Sequence, residues 1–172
     1  MTTDLPLGLK VNPRNPRLVK KLQQLEAYDF DMVTKSCHAR YGWTKPKARL
    51  AERATKRFFS LAFLDPGSYH IPEVDVDEFW HRMILHTLWY ARFCEDIFGE
   101  FYHHTPEPDP KNMSATNRAR TTQLVAHWFG AEAGQLVLTC TQCRGPRKVA
   151  VSTSLFPAPG SLPFPMRRRT LR

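Results

Sequence analysis

Asp77 and His81 stand four residues apart, and His103 and His104 follow as an adjacent pair beyond the next glycine. On a helix a four-residue step keeps two side chains within roughly 40° of one another. The carboxylate can then orient the imidazole, or both can hold a metal ion. His86 comes five residues after His81, roughly 140° further round, so the two cannot chelate one ion from a regular helix. Further ligands must come from elsewhere, and His103, His104 and His70 are the candidates. Neighbouring side chains of an extended segment point in opposite directions, so only one of His103 and His104 is expected beside His81. The candidate metal ligands are therefore Asp77, His81, His103 and His104, with zinc or iron as the ion. Against this stand the absence of the usual zinc spacings and the ability of buried, hydrogen-bonded histidines to account for the same pattern.

These residues must be positioned by the stretch from Val74 to Pro106. Its spacing predicts one long helix from Asp75 to Phe98. Asp75 is an N-cap candidate with Glu78 at the capping-box distance. Val76, Trp80, Met83, Thr87, Ala91, Cys94 and Phe98 recur at steps of three and four, as one face of a 3.6-residue helix does. Phe79, Ile84, Leu88, Tyr90 and Ile97 widen that stripe, which implies a central helix packed on several sides. Gly99 is the expected left-handed stop.

The run V-D-x-x-W-H, then I-L-x-T-x-x-Y-x-x-F-C-x-x-x-F-G-x-F, then H-H-x-P, resembles the glycine-rich domain-containing protein-like family, mostly uncharacterised bacterial and plant proteins. L-E-A-Y-D-F and R-F-F-S-L upstream, and the F-G at Phe129 and Gly130, are similar too, so the resemblance spans Leu18 to Gly130. It labels a family and implies no activity. The family commonly reads W-H-x-H, and Met83 occupies the second histidine position here.

The remaining elements follow in order. Met1 to Arg14 reads as extended. Asn15 and Pro16 start a helix as N-cap and first-turn proline, with Leu18, Leu22 and Leu25 inward. A second helix is expected from Asp31, with Met32, Val33, Cys37 and Tyr41 inward and Gly42 as its stop. Thr44 and Pro46 open a third, whose core face is Leu50, Ala54, Phe58 and Leu61. Arg49, Arg53, Lys56 and Arg57 lie opposite and read as a solvated face. Alternate prolines make Thr105 to Pro110 a stiff spacer, and Ser114 can cap a last helix that ends at Gly130.

The chain carries 25 basic and 16 acidic residues, a formal charge of +9. Residues 1–130 hold 18 basic against 15 acidic, and residues 131–172 hold 7 against 1. The expected organisation is thus a helical domain over 1–130 and a basic, proline-rich extension over 131–172. In the extension Q-L-V-L-T-C-T and K-V-A-V-S-T-S-L-F suggest a β-hairpin, and F-P-A-P-G-S-L-P-F-P-M-R-R-R-T-L-R cannot build a core. Cys140 and Cys143 form a C-x-x-C without the second pair that a structural zinc site wants. Arg167, Arg168, Arg169 and Arg172 place four cations in six residues, suited to a carboxylate or phosphate surface.

The expected fold is all-α: a compact bundle of about five helices round one central helix, with the hairpin and tail beyond. No apolar run is long enough to cross a membrane, the N-terminus lacks a signal pattern, and a cytoplasmic location is the simplest reading. No Gly-rich phosphate loop, nucleophile elbow or H-E-x-x-H is present, so catalysis is not the expectation. The favoured function is a non-catalytic binding or assembly subunit that docks through the basic extension onto a protein partner, with nucleic acid second. The alternative is a metal-binding protein or metal-dependent enzyme built on Asp77, His81 and His103 or His104. Met83, which breaks the family's histidine pattern, tips the balance towards docking.

Overall fold

Short-range capping chemistry sets several of the helix ends. Helix α1 (Pro16–Ala27) starts where the Asn15 side chain accepts from the backbone N–H groups of Arg17 and Leu18 at 3.0 and 3.4 Å. Helix α2 (Asp31–Tyr41) stops at Gly42, with φ +66. Helix α3 (Lys45–Leu64) starts on the Thr44 hydroxyl, which accepts from Lys47 N at 3.4 Å. Then come α4 (Val74–Leu85), α5 (Thr87–Phe98), α6 (Ser114–Phe129) and α7 (Ala131–Leu136). This computed structural model describes residues 5–104 and 114–136, all within one compact unit, Met1–Thr141. The described residues form seven helices and no strand. The spacer over 105–113, the expected hairpin and the arginine tail lie outside them.

The expected single helix from Asp75 to Phe98 is two helices. His86 breaks it, with φ −89 and ψ 62, between α4 and α5. The His86 N–H turns back to Met83 O at 3.0 Å, and a new ladder opens with Tyr90 N on His86 O at 2.8 Å. Each piece therefore buries its own face. Helix α4 buries Val76, Phe79, Trp80 and Met83, and α5 buries Tyr90, Phe93, Cys94 and Ile97. Thr87, Leu88 and Ala91, which continue the stripe on paper, face water, and Leu88 is 82% exposed.

The start of α4 differs as well. Glu73 rather than Asp75 is its N-cap, and Asp75 pairs instead with Lys47 across 3.3 Å. Glu73 Oε1 is buried without a hydrogen-bond partner among the described residues. Burial raises the Glu73 carboxyl above its ordinary range, and Arg118 opposes that shift. A carboxyl raised in the folded state holds its proton more tightly there. Its ionisation costs stability as pH climbs from the unfolded pKa through the folded one. Glu73→Gln should therefore be more stable than the parent at neutral pH, with the difference vanishing below about pH 4. Thermal melts at both pH values check this, and a variant less stable at pH 7 would show that the carboxylate is needed charged.

Phe30, Phe59, Phe79 and Phe93 are fully buried and form the centre of the core. Phe93 lies 5.3 Å from Phe30 and 5.6 Å from Phe59, ring centre to ring centre. Leu50 and Met32, expected inward, are 53% and 40% exposed, because the crossing of α2 and α3 buries Val33, Cys37, Ala48 and Ala51 instead.

The basic row on α3 is not a solvated face throughout. Lys56 is 7% exposed. Its Nζ donates to Glu26 O at 2.8 Å and Tyr28 O at 2.7 Å, pairs with Glu52 Oε1 at 3.0 Å, and lies 4.8 Å over the Phe30 ring. Arg57 donates to Leu7 O at 3.0 Å and lies over Phe129. Nor is the N-terminal segment simply extended. Pro6–Gly8 form a 3-10 turn in which Leu7 is buried at φ +58, its N–H on Glu26 Oε1 at 2.9 Å. At the other end Ala133 is buried, so packing continues past Gly130.

Candidate metal centre

Helix α4 carries Asp77 and His81 one turn apart on the same face, as their spacing requires. The segment after α5 leaves at Gly99, φ +80, and returns across that face. Its His104 Nε2 donates to Asp77 Oδ1 at 2.8 Å, and His81 Nδ1 stands 3.3 Å from Asp77 Oδ2. The two imidazole centres are 4.6 Å apart. One ligand atom from each of the three residues falls within 4.8 Å of the others. Donor atoms held about 2.1 Å from one ion at tetrahedral or octahedral angles stand roughly 3.0–3.4 Å apart, so small side-chain adjustments would close the set round an ion.

Burial is graded across the three. The His104 side chain is 11% exposed, Asp77 36% and His81 49%. The group is thus anchored on its protein side and open on the other, an arrangement that leaves coordination positions for water or a small ligand.

His103 does not join. Its ring lies 4.8 Å from Phe101 and is exposed, on the opposite side of the extended segment. His70 is bound into its own loop, with Nε2 on Asp65 O at 3.2 Å. His86 sits at the helix break. Met83, at the position where W-H-x-H has its second histidine, is fully buried in the core, so a side chain there does not reach the Asp77 face. Cys37 is a core residue whose thiol is pushed up to about 11 by burial. Cys140, Cys143, Arg167, Arg168, Arg169 and Arg172 lie outside the described residues.

Two residues that the sequence offered only as core stripe shape the surroundings of His104. The Trp80 ring meets its imidazole edge to face at 4.5 Å. Tyr90 is 1% exposed and sits between Trp80 and the returning segment. It accepts from Trp80 Nε1 at 2.8 Å and donates to Tyr102 O at 2.5 Å. Burial first of all raises its phenol well above the ordinary tyrosine range, which keeps the hydroxyl proton in place. No spacing rule signals such a bond, because its acceptor is a backbone carbonyl in another segment.

No helix of the described residues is long and apolar enough to cross a membrane. Comparison with curated proteins and with solved structures gives no match. A family model described as UCP032817-like matches residues 19–133, which is 115 of the 172 residues. This corrects the resemblance to glycine-rich domain-containing proteins. The quoted run rests largely on Trp80, Tyr90, Phe93, Cys94 and Phe98, which here are core or core-packed side chains, and such a run describes packing more than membership. The chain belongs to the UCP032817-like family, an uncharacterised one.

Proposed function

We propose that the chain is a metal-binding protein whose ion is held by Asp77, His81 and His104. The observation that carries this is the convergence of one carboxylate oxygen and two imidazole nitrogens, from two separate segments, within 4.8 Å. Two histidines and one carboxylate with open positions suit iron(II), and catalytic zinc also takes three protein ligands of this kind. When bound, such an ion would act as a Lewis acid or lower the pKa of a coordinated water. The three side chains would supply the fixed geometry and one negative charge. This reading stands ahead of docking through the basic extension because three ligand atoms converge from two separate segments.

The expected result is one equivalent of zinc or iron in protein prepared without chelators. In a cobalt(II) titration His81→Ala and His104→Ala should each lose tight binding, while His103→Ala binds as the parent does. Metal analysis that finds no stoichiometric ion, together with a titration that shows no saturable site, would remove the proposal.

A further inference from the structure

The Tyr90 hydroxyl joins three elements that approach the metal centre. Trp80 on α4 donates to it, and it donates to the carbonyl of Tyr102, two residues before His104. Trp80 in turn supports the His104 ring from the side at 4.5 Å. The Tyr102 ring is stacked on Phe98 at 4.5 Å and lies 5.6 Å from Trp80. The segment that delivers His104 is therefore held from beneath by ring packing and tied at Tyr102 by hydrogen bonds, its carbonyl to the Tyr90 hydroxyl and its backbone to the neighbouring Cys94 thiol. Ring packing leaves room to slide, whereas a bond of 2.5 Å to a named carbonyl sets the register.

We infer that Tyr90 is the positioning residue of the Asp77–His81–His104 centre: its hydroxyl, bridging Trp80 Nε1 and Tyr102 O, sets where His104 Nε2 meets Asp77. The inference rests on the metal-binding reading and adds to it a residue that touches none of the ligands. Partners bonded directly to a ligand typically change metal affinity by about 10- to 100-fold, and Tyr90 acts one contact further out, so the lower end is expected. Tyr90→Phe removes one oxygen and keeps the ring, so the core stays filled. The Tyr102 carbonyl then loses its donor and the Trp80 N–H its acceptor.

Zinc affinity, measured by competition with a chromogenic chelator, should fall about 10-fold in Tyr90→Phe, the lower end of that range. Phe59→Leu is the packing control. Phe59 touches Trp80 and Tyr102 at 5.2 and 5.8 Å but makes no bond to either. It should melt at a lower temperature and, while folded, bind zinc as the parent does. An equal loss of affinity in both variants overturns the assignment, since packing alone would then hold His104. A second measurement needs no variant. Coupling is reciprocal, so zinc bound to the parent should slow solvent exchange of the Trp80 indole N–H. Unchanged exchange at saturating zinc overturns the assignment as well. If the parent binds no zinc, the metal reading falls by itself. The positioning role is then read from the ring N–H resonance of His104 in metal-free protein, which should be present in the parent and lost in Tyr90→Phe; its persistence there would overturn the role.

Discussion

Replacing Trp80 by alanine should cost about 3–5 kcal/mol of folding stability. The indole is 5% exposed and is enclosed by Phe58, Phe59, Tyr102 and His104, with ring centres 4.5–5.8 Å away. Truncation removes the transfer free energy of a large ring and leaves a cavity whose walls come from α3, α4 and the segment after α5. Walls on three elements cannot all close inward, which puts the cost towards the upper end. The Tyr90 hydroxyl also loses the N–H it accepts from. Urea denaturation followed by circular dichroism gives the number. A midpoint equal to the parent's would show that α4 is peripheral.

Lys56→Met should cost about 2–4 kcal/mol, a large effect for a lysine. Methionine keeps the length and the apolar stem, so packing is nearly conserved and the loss isolates the ammonium. That group satisfies Glu26 O and Tyr28 O at the end of α1, and it offsets Glu52, whose side chain is only 12% exposed. Without it two carbonyls lose their donor, and among the described residues Glu52 is left with Arg49 alone. The exposed Lys20 on α1 gives the contrast, because Lys20→Met should stay within about 0.5 kcal/mol of the parent. Equal effects from the two substitutions would mean that the Lys56 contacts contribute nothing net.

Features decided within a few residues were legible in the sequence. Asn15, Thr44, Gly42 and Gly99 terminate helices where their chemistry says they should. The break at His86 was not, because I-L-H-T-L contains no glycine or proline and its apolar period runs on across it. Only packing on two different sets of neighbours ends one helix at Leu85 and starts another at Thr87. Lys56 looked like a surface charge because its acceptors lie 28 and 30 residues away. The clustering of Asp77, His81 and His104 was half visible. The four-residue step gives Asp77 with His81, and alternation in an extended segment admits one of the histidine pair. That it is His104 depends on how the chain returns after Gly99, which no local pattern encodes.

The first residues are fastened to nearly the last ones described. Lys10 N–H donates to Trp128 O at 2.7 Å, and Leu7 and Leu9 are buried beneath that tie. During synthesis Leu7 can bond Glu26 and Arg57 as α1 and α3 form, but the Lys10 N–H lacks its partner until Trp128 has been added. At about 5–20 residues per second the wait is roughly 6–24 s. Through that interval the Lys10 N–H and the α3 face under Phe129 remain uncovered on the nascent chain. A synonymous change that slows translation between α5 and α6 would lengthen the exposure without altering a single residue, and would raise the chain's demand for a chaperone.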